Sequence, residues 1–259
     1  MLLQDRVAII SGVGPGLGRQ LALAFARQGA GLMLGARRAS RLAAIETEVA
    51  ALGGPVRSRP TDITDPGQCD RLVDEARDEF GRVDVLVNNA AAQVEDRAFD
   101  DVDLGAWRRA MEVTLFGNLN MTRAVIPTLK AGGGGAIVFV NSMVIREPRP
   151  LAGGYATAKA ALLTAAQVLA RELGPHQIRV NTIVPGWLRG PTVERYVAAA
   201  AARTGTTTQD QYRDLAAGVA LREIPTDADC ADAAVFFASD LSSAVTGQAL
   251  DVNGGEVCR

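Results

Sequence analysis

Residues 7 to 18 read Val7-Ala8-Ile9-Ile10-Ser11-Gly12-Val13-Gly14-Pro15-Gly16-Leu17-Gly18. The first four are wholly apolar, as a strand buried on both faces of a parallel sheet must be. They run into a glycine-rich turn, and a helical pattern follows at Leu17, Leu21, Ala24 and Phe25, ending near Gly29. Strand, glycine turn and helix in that order make a phosphate cradle. Glycine lets the backbone approach an anion, and the helix N-terminus aims its unpaired N–H groups at it. The spacing, Gly-x-x-x-Gly-x-Gly through Gly12, Gly16 and Gly18, differs from the commoner Gly-x-Gly-x-x-Gly.

Gly31-Leu32-Met33-Leu34-Gly35 reads as the next strand. At this point, ~20 residues beyond the glycines, an NAD-binding fold places Asp or Glu to receive the ribose hydroxyls. Here stand Ala36-Arg37-Arg38, and the first acidic residue beyond them is Glu46. Guanidinium groups grip a 2′-phosphate and no carboxylate repels it, so NADP(H) is favoured as cofactor, with NAD(H) the alternative.

The alternation of apolar strands with helical stretches continues, which is the pattern of an α/β fold. Helices are expected over 40–52 and 66–80, with a strand near 55–60 between them. The strand Val83-Asp84-Val85-Leu86-Val87 ends at Asn88-Asn89-Ala90-Ala91, where short polar side chains hold turns. One long helical region is expected over 103–129, then a turn at Gly132-Gly133-Gly134-Gly135 and a strand from Ala136 to Val140 that delivers Asn141-Ser142 to its C-terminal edge. A helix over 155–173 precedes the strand Ile178 to Val184, closed by Pro185-Gly186. A helix from Asp227 to Ser239 and a strand from Ala249 to Val252 complete the series. Residues 187–224 break this rhythm with alanine-rich pieces around Arg203-Thr204-Gly205-Thr206-Thr207-Thr208, and an excursion at the ligand edge is expected to be a substrate lid. No linker, repeat or composition shift divides residues 1–259, so a single domain is expected.

The composition, 48% apolar and 22% charged, is that of a globular chain, and a formal charge of −2 argues against a general polyanion binder. Of 27 basic residues only Lys130 and Lys159 are lysines. Cys69, Cys230 and Cys258 are too scattered for a zinc motif and too few for a disulfide framework, which fits a cytoplasmic setting. The one histidine, His176, follows Gly174-Pro175 at a helix end, and makes a metal site or a Ser-His-Asp triad improbable. No run reaches the ~20 apolar residues that span a bilayer, and no signal peptide is expected before a strand that starts so early.

The chemistry points to Gly154-Tyr155-Ala156-Thr157-Ala158-Lys159. On a helix Tyr155 and Lys159 stand one turn apart on the same face. A phenol ordinarily titrates near pH ~10, and a nearby ammonium lowers that by ~1 to 3 units. Tyr155 is therefore expected to act as a general acid and base.

Taken together, these pieces resemble the short-chain dehydrogenase/reductase family over nearly the full chain. The matching residues are Ser11-Gly12-x-x-x-Gly16-x-Gly18, Asp62-Ile63 after the third strand, Asn88-Asn89-Ala90, Ser142, Tyr155-x-x-x-Lys159, and Arg179-Val180-Asn181 leading to Pro185-Gly186. The resemblance implies a doubly wound Rossmann sheet of about seven parallel strands with helices on both faces and one active site at its C-terminal edge. It implies that Tyr155 exchanges a proton with the substrate oxygen, that Ser142 hydrogen-bonds that oxygen, and that Lys159 binds the nicotinamide ribose and stabilises the tyrosinate. Gly12, Gly16, Leu17 and Gly18 map onto the pyrophosphate loop, and Arg37 onto a 2′-phosphate contact. Asp62 and Ile63 map onto the adenine contacts, Asn89 and Ala90 onto the turn beneath the adenosine ribose, and Pro185 and Gly186 onto the far edge of the cofactor site.

Three positions depart from the family pattern. Thr114, in Val113-Thr114-Leu115-Phe116-Gly117, replaces the asparagine of the catalytic tetrad, and Asn118 one turn on is expected to be too far away to substitute. Ala91 replaces a common glycine, and Pro15 stands where many NADP-preferring members carry a basic residue. The leading functional expectation is an NADP(H)-dependent oxidoreductase that interconverts a ketone or aldehyde and a secondary alcohol, with reduction of 3-oxoacyl thioesters or of bulkier steroid-like or terpenoid substrates as variants. Val94, Met143, Ile145, Trp187 and Tyr196 flank the site and suggest an apolar pocket. The alternative is a nucleotide-sensing binding protein without turnover, for which Thr114 is the support. A homotetramer or dimer is expected, packed through the alanine-rich faces around Ala160, Ala161, Ala165 and Ala166.

Overall fold

The computed structural model describes residues 1–92 and 94–258. Seven strands form one sheet in the order β3-β2-β1-β4-β5-β6-β7. They are β1 Val7–Ser11, β2 Gly31–Ala36, β3 Val56–Pro60, β4 Val85–Asn88, β5 Gly135–Val140, β6 Ile178–Pro185 and β7 Ala249–Val252. Every pairing is parallel. The order runs outward both ways from the β1/β4 junction, and such a reversal leaves a crevice at the carboxyl ends of those two strands.

Period-two alternation explains why the strands read as unbroken apolar runs. Ala8 and Ile10 of β1, Leu32 and Leu34 of β2, and Val138 of β5 join one core, under α1 (Leu17–Arg27), α2 (Ala39–Ala50) and α9 (Asp227–Ala238). Ile9, Met33, Ile137 and Phe139 point the other way, into a core covered by α3 (Pro66–Phe80), α5 (Asn118–Ala131) and α6 (Gly153–Leu173). Each of the larger of these side chains contributes about 1.5 to 3 kcal/mol by leaving water.

The helix starts follow from capping. Asp65 accepts from Gln68 N ahead of Pro66, and Thr226 and Asp229 form a reciprocal capping box on α9. The segment after β6 holds α7 (Pro191–Thr204) and α8 (Thr208–Ala217), separated by Gly205, whose φ of 69° ends α7 in the left-handed region.

The long helical region expected over 103–129 is continuous from 104 to 131, but it is not uniform: α4 (Leu104–Met111) passes through a wide π-type turn over Glu112–Gly117 into α5. The last residue of the wide turn packs closely: a Cβ on Gly117 would lie 2.7 Å from Ile63 Cδ1, so glycine lets the turn approach the segment after β3. Such turns are rare and cluster at functional sites. Among the described residues no helix is long and apolar enough to cross a membrane.

One buried carboxylate ties the sheet together at the opposite edge. Asp84 Oδ2 accepts from Val7 N at 2.8 Å and from Arg82 Nε at 2.9 Å, while Arg82 Nη2 reaches Oδ1 at 2.6 Å. Asp84→Ala leaves the Val7 N–H buried without an acceptor, and is expected to lower stability by about 2 to 3 kcal/mol. The urea midpoint would fall with an unchanged slope; an unchanged midpoint would show that Asp84 does not hold β1 to β4.

Candidate active site

The crevice between β1 and β4 is shaped by atoms that leave no room for side chains. Gly12, at φ +81°, lies so close to Ala90 that a Cβ would sit 2.5 Å from Ala90 Cα. A Cβ on Gly18 would meet Gly12 O at 2.8 Å. Asn89 Nδ2 donates to Gly12 O at 2.8 Å and fixes the two turns together. The result is a cavity of about 630 Å³ that follows the C-terminal edge of the sheet.

Most of the residues expected there do line it: Gly12, Leu17, Gly18 and Arg37 from the first half, Asp62 and Ile63 after β3, and Asn89, Ala90, Tyr155, Lys159 and Pro185 beyond. Four do not. The Cα of Gly16 faces Asp227 and Pro191, with a Cβ there 3.2 Å from Asp227 Oδ2. Gly186 is packed on the chain's C-terminal segment, where a Cβ would lie 2.8 Å from both Asn253 Cβ and Glu256 Oε2. Ser142 and Thr114 also lie outside the lining, although both stand next to residues that form it, Asn141 and Val113.

One end of the cavity is strongly cationic. Arg37, Arg38 and Arg41 line it, and among the described residues none of the three has an ion pair. Arg37 ends the turn after β2, Arg38 is the extended residue that starts α2, and Arg41 stands in the first turn of that helix, so all three lie close together at one helix start. The one carboxylate in the lining, Asp62, is occupied by Thr64 N and Thr64 Oγ1 at 3.0 and 2.8 Å.

At the other end α6 delivers the reactive pair. The helix begins at Gly153 rather than at Tyr155, because Gly153 and Gly154 lie under Trp107 of α4; a Cβ on Gly154 would be 2.8 Å from its Cδ1. Lys159 is 2% exposed and donates from Nζ to Val140 O at 2.6 Å, with Nζ 5.7 Å from the centre of the Tyr155 ring. Burial pushes the Lys159 ammonium down to about 7. It also pushes the Tyr155 phenol above its ordinary value, against a smaller downward pull from a hydrogen bond with Ser142. The expected lowering of Tyr155 by Lys159 is therefore reversed: desolvation outweighs a cation that is itself buried and turned to a carbonyl.

Thr114 is wholly buried in the wide turn, and its Oγ1 accepts from Ala92 N at 3.1 Å. Asn118, set aside on sequence grounds, is buried beside it and donates from Nδ2 to Ala90 O at 2.9 Å and to Thr114 O at 2.7 Å. These two bonds tie the wide turn to the turn that lines the cavity. Asn118 Oδ1 is buried without a hydrogen-bond partner among the described residues. Further along the edge, Trp187 and Tyr196 stack with ring centres 4.9 Å apart, and Arg149 lies over Trp187 at 4.4 Å. Met143, expected in the pocket, is 2% exposed. Among the described residues no cluster of His, Cys, Asp and Glu could hold a metal ion.

The family model described as enoyl-(acyl carrier protein) reductase matches residues 12–256. The chain belongs to the short-chain dehydrogenase/reductase family. Its relatives include the 7alpha-hydroxysteroid dehydrogenase of Escherichia coli (strain K12), 31% identical with 98% of this chain and 95% of that protein covered. The 3-oxoacyl-(acyl-carrier-protein) reductase FabG of Thermotoga maritima is 31% identical, with 99% and 100% covered. Among solved structures, NAD+-bound xylitol dehydrogenase superposes with a TM-score of 0.91 at 26% identity, over 98% of this chain and 100% of that one. This short-chain dehydrogenase/reductase is an oxidoreductase of the type that acts on CH–OH groups, and its family binds NAD(P)(H).

Asn118→Asp would replace the donor that faces two carbonyls by a carboxylate oxygen. The expected cost is about 3 kcal/mol, from an unpaired buried charge. Thermal unfolding at neutral pH measures it, and the loss should shrink in acid as the carboxyl takes up a proton. A variant as stable as the parent would remove Asn118 from its place beneath the cavity.

Proposed function

We propose that this protein interconverts ketones or aldehydes and secondary alcohols with NADP(H) as the hydride carrier. The observation that carries the reading is the convergence on one cavity of Tyr155 and Lys159 at one end and three unpaired arginines at the other. A glycine turn held tight against Ala90 and against its own Gly12 O, at the N-terminus of α1, suits a pyrophosphate. Arg37, Arg38 and Arg41 suit a 2′-phosphate, and Asp62, Ile63, Asn89, Ala90, Leu17 and Pro185 would hold the rest of the dinucleotide.

When bound, the nicotinamide supplies or accepts hydride at the carbonyl or carbinol carbon. Tyr155 gives its phenol proton to the carbonyl oxygen in reduction and takes one back in oxidation. Ser142 donates a hydrogen bond to the same oxygen, where charge develops. Lys159, with a pKa of about 7, holds the ribose hydroxyls and replaces the tyrosine's proton. Thr114 retains a hydrogen bond to the cavity turn through Ala92 N, which favours turnover over a purely nucleotide-sensing role. Residues 187–224 would serve as a substrate lid on a single domain of residues 1–259, and a homo-oligomer in the cytoplasm fits the alanine-rich helix faces. The substrate is a small molecule with an apolar body, and the relatives named above suggest steroid-like and 3-oxoacyl compounds as the first probes.

The cofactor reading is checked by titrating NADPH and NADH. Arg37→Ala and Arg41→Ala should each weaken NADPH about tenfold, the size of one charge-assisted hydrogen bond, and leave NADH unchanged. Tighter NADH binding by the parent would reverse the preference.

The raised phenol of Tyr155 and the lowered ammonium of Lys159 set the direction of pH dependence. Tyr155 stays protonated through the neutral range while Lys159, at about 7, gives up its proton within it, so reduction should decline as pH rises through about 7 and oxidation should climb as Lys159 and then the phenol ionise. With a panel of ketones and alcohols, Tyr155→Phe should lose about 10²- to 10⁴-fold in turnover in both directions and still bind nucleotide. Undiminished turnover in that variant would exclude Tyr155 as the acid.

A further inference from the structure

Two loops flank the Tyr155 end of the cavity. One runs from Ser142, which hydrogen-bonds Tyr155, to the start of α6, and carries Glu147-Pro148-Arg149-Pro150. The other follows Pro185, which lines the cavity together with Tyr155, and carries Trp187 towards α7. The loops meet in one contact, where the Arg149 guanidinium lies over the Trp187 ring, 4.4 Å from its centre. Trp187 is held in turn: its ring stacks on Tyr196 with centres 4.9 Å apart, and its backbone N–H donates to Glu256 Oε2 at 3.5 Å. It forms a fixed plate on which the cation rests.

The mount of Arg149 is stiff as well. Pro150 confines the backbone of Arg149 to extended conformations, Pro148 fixes the φ before it, and Arg149 O accepts from Ala152 N at 3.4 Å. Stacking uses the face of a guanidinium and leaves the N–H groups in its plane idle, which is the geometry that receives a carboxylate or phosphate. Arg149 is exposed, and among the described residues its guanidinium has neither an ion pair nor a hydrogen bond. The other arginine of this loop, Arg146, is held by Asp251 at 3.0 Å. Two carboxylates stand near Arg149 without closing an ion pair on it: Glu147, two positions earlier, and Glu256, which the Trp187 N–H engages. Burial pushes the Glu256 carboxyl above its ordinary value, against smaller downward pulls from that N–H and from Arg149. The same burial weakens the opposition that Glu256 offers to an arriving anion. A merely solvated arginine needs neither flanking prolines nor an aromatic plate.

We propose that Arg149 is a specificity-determining residue, and that the preferred substrates carry an anionic group, a carboxylate or a phosphate, on the end of the apolar body remote from the reacting carbonyl. This rests on the ketone and alcohol reading given above and names the substrate class within it. Trp187 takes the apolar body beside the anion, and the idle N–H groups of Arg149 take the anion itself. The contact fixes which end of the substrate faces Tyr155. Because Arg149 is exposed, its contribution is screened by salt.

The test is kcat/KM of the full chain with NADPH on matched pairs of carbonyl compounds. One arm pairs keto acids of graded length with their methyl esters. The other pairs a 3-oxoacyl-coenzyme A, which bears phosphates, with the same acyl group on N-acetylcysteamine, which bears none. In at least one arm the parent should favour the charged member, through KM. In Arg149→Ala the ratio of charged to uncharged kcat/KM should fall roughly 10- to 100-fold, as for a charge-assisted hydrogen bond to an anion. Arg149→Lys should restore part of that ratio, and 0.5 M salt should compress it in the parent. A preference confined to the keto acids identifies the anion as a carboxylate, and one confined to the coenzyme A thioester identifies it as a phosphate; both support the proposal. A parent that turns over both members of every pair equally well would overturn it. So would an Arg149→Ala protein that loses charged and uncharged substrates in the same proportion, since Arg149 would then only pack on Trp187. A parent with no turnover of any member, matching Tyr155→Phe, would overturn the oxidoreductase reading itself and this assignment with it.

Discussion

The approach of two backbone turns to within a hydrogen bond of each other is the constraint on which the molecule depends. The turn after β1 and the turn after β4 meet at Gly12 and Ala90, locked by Asn89 Nδ2 on Gly12 O. Any side chain at Gly12 would drive them apart, and β1 and β4 pair directly beneath. The sheet's order reverses at the same junction, so the place where the chain changes direction is also where a cavity must open. The floor of that cavity is secured from below by Asn118 and Thr114, which hang the wide turn before α5 from Ala90 O and Ala92 N.

Burial sets the chemistry at the far end. Lys159 is a lysine among core residues, and the Val140 carbonyl satisfies one of its protons without supplying a counter-charge. A cation in that position gives up part of its basicity, which brings it to about 7. The same low dielectric keeps the Tyr155 phenol protonated. Two groups that in water would titrate on the alkaline side of neutrality are thereby moved apart, the lysine down and the tyrosine up, and a proton donor is ready next to a group that can restore its proton.

Much of this was legible in the residues. The strand runs from Val7 and from Ala136 are apolar because both faces of each strand are covered, and their shortness and the glycines that flank them read as strand rather than helix. The glycine spacing through Gly12 and Gly18 and the pair Tyr155 and Lys159 announced the two ends of the cavity. Less legible was anything that depends on which way a segment faces. Gly16 belongs to the glycine pattern, yet its Cα turns to Asp227, a residue more than 200 positions away. The wide turn at Glu112–Gly117 lies inside a stretch that reads as helix, and its Gly117 packs on the side chain of Ile63, a residue more than 50 positions away.

The sequence by itself determined the family, the parallel sheet and the identities of the groups at the cavity, because local periodicity and short motifs depend on neighbours in the chain. The tertiary structure alone decided the direction in which burial moves Tyr155 and Lys159, the part Asn118 takes beside Thr114, and the meeting of α7 with the glycine turn. Desolvation and side-chain contact depend on residues remote in sequence, so these outcomes exist only once the sheet has brought β1, β4, β5 and β6 to one edge.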